Sequence, residues 1–214
     1  MQSIKVEKLS GYSYWMLLPD GYGKEQGPWP VILFLHGAGE RGNDLDLVKK
    51  YGPPRIAEEF ENFPFIVIAP QCPRGEVWAN DQLIALLDEA IDRNEIDRDR
   101  IYLTGISMGG AGVWKLAAAH PDRFAAIAPI CGYSYDPSQV LSLTKTPVWV
   151  FHGAKDDVVP VVESERIVNA LRKNGGTVRF TVYPDVGHAE AWEIAYSDWN
   201  LYDWFLQHTR HHLE

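Results

Sequence analysis

The sequence predicts an α/β fold, a mostly parallel central sheet with helices on both faces, and three observations carry that reading. Short apolar or alternating runs that read as strands are separated by stretches with apolar residues at helical spacing, joined by short connections. One such run, Ile101 to Ile106, breaks into Gly105-Ile106-Ser107-Met108-Gly109 and continues into a helical sequence. A length of 214 residues with 46% apolar content supports one substantial core and is short for two, so a single domain is expected over 1–214, with its core at about 11–208.

Taken in order, Tyr12 to Leu18 is an early strand, expected to be antiparallel, and Pro19-Asp20-Gly21-Tyr22-Gly23 is a turn. Trp29 to His36 is the first central strand, and Phe65 to Ala69 is another. Asp81 to Arg93 reads as an amphipathic helix with Leu83, Ile84, Leu87 and Ile91 inward, started by Asn80 or Asp81. Ile101 to Ile106 is a buried parallel strand, and Gly110 to Ala119 follows with small and apolar residues at helical density. Ala125 to Ile130, Pro147 to His152 and Thr177 to Tyr183 are strands. Val161 to Lys173 is a helix stopped by Asn174-Gly175-Gly176, and Tyr196 to His208 is the closing helix. Only sixteen residues separate Ile130 from Pro147, which predicts a short loop, no cap domain and an open site.

Composition excludes several functions. A net charge of −9 without basic patches disfavours nucleic acid and anionic membrane surfaces. No run of 18 apolar residues exists, and the first ten residues lack the apolar core of a signal peptide. A soluble protein without membrane insertion is expected, cytoplasmic by default or else an excised domain of a secreted one. No cluster has metal-ligand spacing, and Gly-x-Gly-x-x-Gly is absent, so neither a metal nor an organic cofactor is expected. Cys72 and Cys131 follow strands expected to lie three positions apart in the sheet, so ~14 Å separates them and free thiols are expected.

The chemistry centres on Ser107. A serine exposed on a tight strand-to-helix turn needs small residues two positions either side, which Gly105 and Gly109 supply. Its hydroxyl is a poor nucleophile at neutral pH and requires a base, an acid that orients the base, and donors for an oxyanion. The acid and the base should each sit on a loop after a later strand. The strand Thr177 to Tyr183 ends in Pro184-Asp185-Val186-Gly187-His188, which makes His188 the best base. The strand Pro147 to His152 leads into a loop with two candidate acids, Asp156 and Asp157. His36 and His152 read as braces at strand ends.

Leu35-His36-Gly37-Ala38-Gly39-Glu40-Arg41-Gly42, Gly105-Ile106-Ser107-Met108-Gly109, His152-Gly153-x-x-Asp156-x-x-Val159-Pro160 and Gly187-His188 together resemble the α/β-hydrolase superfamily. Within it they resemble the small lidless esterases, which include phospholipase/carboxylesterases, dienelactone-hydrolase-like proteins and relatives of polyhydroxybutyrate depolymerases and feruloyl esterases. The likeness runs from about Gly11 to Phe205. It implies Ser107 as nucleophile, His188 as base and Asp156 as acid, preferred over Asp157 because the pattern puts the acid four residues after the strand-end histidine. The oxyanion donors it implies are the backbone amides of Ala38 and Met108.

The expected activity is that of a serine carboxylesterase acting on short-chain or aromatic, feruloyl-type esters, small or attached to a polymer. Trp78, Tyr133, Tyr135 and Trp192 are candidates for a wall around the acyl group, each with core or rim packing as the competing role. A thioesterase or lysophospholipase would use the same residues; a peptidase or a noncatalytic binding protein are the remaining readings.

Overall fold

The computed structural model describes residues 2–8, 11–24, 27–134 and 136–210. Eight strands form one sheet: β1 (Gln2–Val6), β2 (Tyr14–Leu18), β3 (Trp29–Leu35), β4 (Ile66–Pro70), β5 (Ile96–Ile106), β6 (Ala126–Ile130), β7 (Val148–Gly153) and β8 (Val178–Tyr183). Their spatial order is β1-β2-β4-β3-β5-β6-β7-β8. β1 pairs antiparallel with β2 and β2 antiparallel with β4, while every other pairing is parallel.

Alternation along the strands divides the core into two layers. Val31, Leu33 and Leu35 of β3 point to one face, with Ile101 and Leu103 of β5 and Val148 and Val150 of β7. That face is covered by α2 (Asn80–Arg93), α3 (Met108–Ala119) and α4 (Val162–Lys173), through residues such as Leu87, Val113 and Ile167. Ile32 and Phe34 point the other way with Tyr102, Trp149 and Phe151, under α1 (Gly52–Glu59), α5 (His188–Ser197) and α6 (Trp199–Leu206). A strand buried on both faces must be apolar at consecutive positions, which is why Val31 to Leu35 is an unbroken run.

Four details differ from the sequence expectations. β1 was not expected: only Val6 of its residues is even half-buried, so it has no apolar pattern and is held by its backbone ladder to β2. β5 begins at Ile96, five residues before its apolar run, because Ile96 already pairs with Trp29. α2 begins with Asn80 inside the helix; Ala79 is its cap, and the Asn80 amide donates instead to Lys115 O at 3.2 Å. The expected closing helix, Tyr196 to His208, is two helices: Asp198 is extended, ends α5, and caps α6 by accepting from Asn200 N at 3.0 Å.

The connection between β6 and β7 carries no cap among the described residues. It contains a 3-10 stretch, Pro137–Leu143, in which Val140 and Leu143 are buried, and Ser142 Oγ donates to Ala118 O of α3 at 2.8 Å. Cys72 and Cys131 are both buried and free. No helix of the described residues is long and apolar enough to cross a membrane.

Candidate active site

Ser107 stands alone between the end of β5 and the first residue of α3, with φ 54° and ψ −115°. A left-handed φ at a non-glycine residue costs energy and persists where the surroundings over-determine it. Here Ser107 N donates to Ile130 O and Ser107 O accepts from Ala111 N, both at 3.0 Å. The turn is tight on its inner side too: a Cβ on Gly109 would lie 1.9 Å from Leu35 O, and one on Gly105 would lie 2.7 Å from both Leu35 O and Gly109 O.

The three residues that the sequence singled out for nucleophile, base and acid lie in one hydrogen-bonded chain. Ser107 Oγ is 2.9 Å from His188 Nε2, and His188 Nδ1 is 2.5 Å from Asp156 Oδ2. Asp156 accepts only, so His188 carries its proton on Nδ1 and presents Nε2 as acceptor to the serine hydroxyl. Asp157 is exposed on the same loop, whereas the Asp156 side chain is fully buried. Asp156 Oδ1 accepts the amides of Val158 and Val159 at 3.0 and 2.8 Å. Burial works to raise the Asp156 pKa, but the bond from His188 and the amides of Val159 and Val158 outweigh it and hold the carboxyl below its ordinary range.

The loops bearing acid and base are stitched together. Ala154 N donates to Tyr183 O and Lys155 N to Val186 O, at 2.8 and 3.0 Å. His188 opens α5, a helix the sequence reading did not extend this far back. One turn on, Trp192 sets its ring edge-on to His188 with centroids 4.8 Å apart.

Ala38 and Met108 each begin a helical segment, Ala38 the 3-10 turn Ala38–Glu40 and Met108 α3. Amides in that position have no acceptor inside their own helix, and the helix dipole adds to their pull on negative charge. The Ala38 loop is pinned from outside by Arg41, which donates to Ala38 O at 2.9 Å and Glu76 O at 3.1 Å.

His36 braces the same loop from inside. Its Nε2 accepts from Cys72 N at 2.9 Å, which leaves Nδ1 as the donor to Gly37 O at 2.6 Å. Burial depresses its pKa to about 4. The unfolded chain therefore takes up a proton there near pH 6.5, well before the folded one does. Stability from this group is complete above pH 6.5 and is lost as pH falls to about 4, to the extent of about 3 kcal/mol. Urea unfolding at pH 7.5 and 4.5 should show this loss, and His36→Gln should lose less over the same interval. An equal slope in both proteins would refute the assignment.

A cavity of about 300 Å³ opens beside Met108. It runs along one face of α3, past Met108, Ala111, Gly112 and Lys115, and is closed by Trp78, Tyr133 and Val140. Gly112 makes room for Trp78, whose Cδ1 would be 2.8 Å from a Cβ there. Trp78 is fixed by its indole N–H to His36 O at 3.2 Å and by edge contact with Tyr12. Of the four aromatic candidates, Trp78 and Tyr133 thus stand on this cavity wall. Trp192 stands against His188 instead, and Tyr135 lies outside the described residues.

Sequence spacing did not reveal the cluster behind Asp156. Cys131, His152 and Asp156, all buried, present donor atoms within 4.8 Å of one another. Both His152 ring nitrogens are engaged by protein groups, and burial pushes the Cys131 thiol far up. Metal binding would require a thiolate and a bare ring nitrogen, so these residues fit a hydrogen-bonded cluster better than a metal centre.

A mostly parallel sheet under helices, with a serine turn at the end of its central strand, defines an α/β-hydrolase. The family model described as "Dienelactone hydrolase family" matches residues 5–197, and the chain belongs to that family, as a hydrolase acting on esters. It is 32% identical over 217 residues to a Methylorubrum extorquens protein named "Putative carboxymethylenebutenolidase", covering 86% of this chain and 74% of that one. With "Probable feruloyl esterase C" of Aspergillus terreus it shares 27% identity over 184 residues, covering 80% of this chain and 64% of the other. The crystal structure of a thermostable esterase superposes with a TM-score of 0.81 at 30% identity, covering 98% of this chain and 63% of that one. The chain therefore spans just under two thirds of the length of these last two.

Proposed function

We propose that the protein is a serine carboxylesterase that cleaves short-chain or aromatic, feruloyl-type esters through an acyl-enzyme. The observation that carries this reading is the unbroken chain from Ser107 through His188 to Asp156. Ser107 Oγ attacks the ester carbonyl while its proton passes to His188 Nε2, and Asp156 steadies the resulting imidazolium. The amides of Ala38 and Met108 take the oxyanion. His188 then gives its proton to the departing alcohol, and water, activated in turn by His188, releases the acid and restores Ser107.

The acyl group is assigned to the cavity along α3. Its volume of about 300 Å³ suits one aromatic ring with a short arm, since a cavity of about 150 Å³ already admits benzene. Trp78 and Tyr133 offer ring faces or edges to an aryl acyl group. Tyr133 also borders a second, more open hollow beside Val158, Pro160 and Glu163, and an unlidded site of this kind suits an ester whose alcohol is bulky or belongs to a polymer.

Hydrolysis of p-nitrophenyl esters of increasing acyl length, with methyl ferulate alongside, tests the proposal together with fluorophosphonate labelling of Ser107. Labelling with turnover of acetyl, butyryl or feruloyl esters supports it. Absence of labelling rejects the serine mechanism, and a preference for long-chain or thioester substrates rejects the substrate class. Ala111→Leu should fill the cavity and lower kcat/KM for feruloyl relative to acetyl esters by ~10-fold or more, the scale set by a few methylenes in a pocket. An unchanged ratio would remove the acyl group from this cavity.

A further inference from the structure

His152 is wholly buried, titratable and two strands across the sheet from the serine turn, and the mechanism above makes no use of it. It is the penultimate residue of β7, four residues before Asp156. Its Nε2 lies 2.8 Å from Val159 O and 3.2 Å from Asp156 Oδ2, the same oxygen that receives His188 Nδ1. A carbonyl oxygen can only accept, so Nε2 carries the proton and donates it to Val159 O, with Asp156 Oδ2 3.2 Å from the same nitrogen. Nδ1 is then left as an acceptor for Ser164 Oγ, 2.7 Å away and itself fully buried. Burial also lowers the His152 pKa, which keeps the ring uncharged.

Both oxygens of Asp156 are engaged by the protein. Oδ1 takes two amides, and Oδ2 receives His188 Nδ1, from the start of α5, with His152 Nε2 of β7 3.2 Å away. A carboxylate bound through Oδ1 alone could still swing Oδ2 away from His188. The His152 edge opposes that rotation electrostatically and sterically, and the Val159 carbonyl fixes the tautomer that lets it do so.

We infer that His152 is a positioning residue for ester hydrolysis, acting through Asp156 Oδ2 to fix the hydrogen bond that orients His188. The inference rests on the reading of Ser107, His188 and Asp156 given above. It goes beyond a brace between His152 and Val159 because it places the effect on the base and not on the loop alone.

Two substitutions separate the ring nitrogens. His152→Gln carries an amide N–H to where Nε2 stands, whereas His152→Asn reaches only toward Ser164. Expected is a fall in kcat of ~10- to 100-fold for Asn with KM little changed, the scale of a small misplacement of a catalytic group, and recovery to within a few-fold for Gln. The downfield proton resonance of the His188 Nδ1–H bond should move in His152→Asn and stay in His152→Gln. In an Asp156→Asn background the His152→Asn loss should shrink to a few-fold, since the two residues act as a unit. Equal losses in both backgrounds, or an unmoved resonance, would overturn the proposal and leave His152 a brace. Nitrogen NMR of the unmutated protein is independent of whether the variants fold: a His152 ring protonated on Nδ1 and bare at Nε2 would overturn it outright. If Ser107→Ala kept full activity, the underlying mechanism would have failed instead.

Discussion

Ser107→Ala is expected to lower kcat for ester hydrolysis by at least ~10³-fold, and by as much as ~10⁶-fold if the rest of the machinery depends wholly on the nucleophile. Fold stability should hardly move. Alanine bears the same cost of a positive φ as serine does, and the substitution removes one partly buried hydrogen bond, worth about 1 kcal/mol. His188→Ala should cost a comparable factor. The double variant should be no worse than either single one, because base and nucleophile act together. Additive losses would mean that the two residues serve separate steps. A Ser107→Ala protein within ten-fold of the parent would place the reaction elsewhere in the molecule.

Gly109→Ala is expected to be the most damaging single methyl that can be added near the site. Its Cβ would fall 1.9 Å from Leu35 O, 2.5 Å from Leu35 C and 2.7 Å from His36 O, all backbone atoms with no rotamer to yield. Either α3 lifts off the end of β3 or the His36–Ala38 segment is pushed aside. We expect a cost of roughly 3–5 kcal/mol, at the upper end for overpacking, and a fall in Tm of about 10 °C or more. Activity should drop even in the folded fraction, since the serine turn and the Ala38 loop are the two parts forced apart. Gly39→Ala is the control: nothing lies within 4 Å of its Cβ, and it should change stability by no more than about 0.5 kcal/mol. Thermal melts that rank the two alike would show that the helix and strand have slack between them.

What was legible in the sequence depended on how local its cause is. The buried parallel strands could be read because burial on both faces demands consecutive apolar residues. The serine turn could be read because glycines two positions either side are its steric condition. The loop after β7 offered both Asp156 and Asp157, and only the resemblance to a known pattern chose between them. β1 could not be read, since an edge strand that exposes both faces owes its form to backbone pairing and leaves no pattern in Gln2 to Val6. The break at Asp198 was hidden because Tyr196 to His208 is apolar at helical density on both sides of it. The grouping of Cys131, His152, Ser164 and Asp156 was invisible for another reason. Cys131 stands at the end of one strand and His152 at the end of the next, and their approach exists only once β6 and β7 pair.

The placement of the site across the sheet divides it mechanically. The serine half belongs to β5, flanked by strands on both sides and packed by α3 against backbone atoms with no slack. His188 follows β8, the outermost strand, whose residues are mostly half-exposed and which has a neighbour on one side only among the described residues. One part of the candidate site is therefore held on every side by backbone, and the other is tied in by hydrogen bonds reaching inward, with the buried carboxylate at the junction. Sequence change can accumulate along the outer strand and retune the approach of the imidazole without remaking the turn that presents the hydroxyl. A fold arranged in this way can keep its nucleophile and still alter what it cleaves.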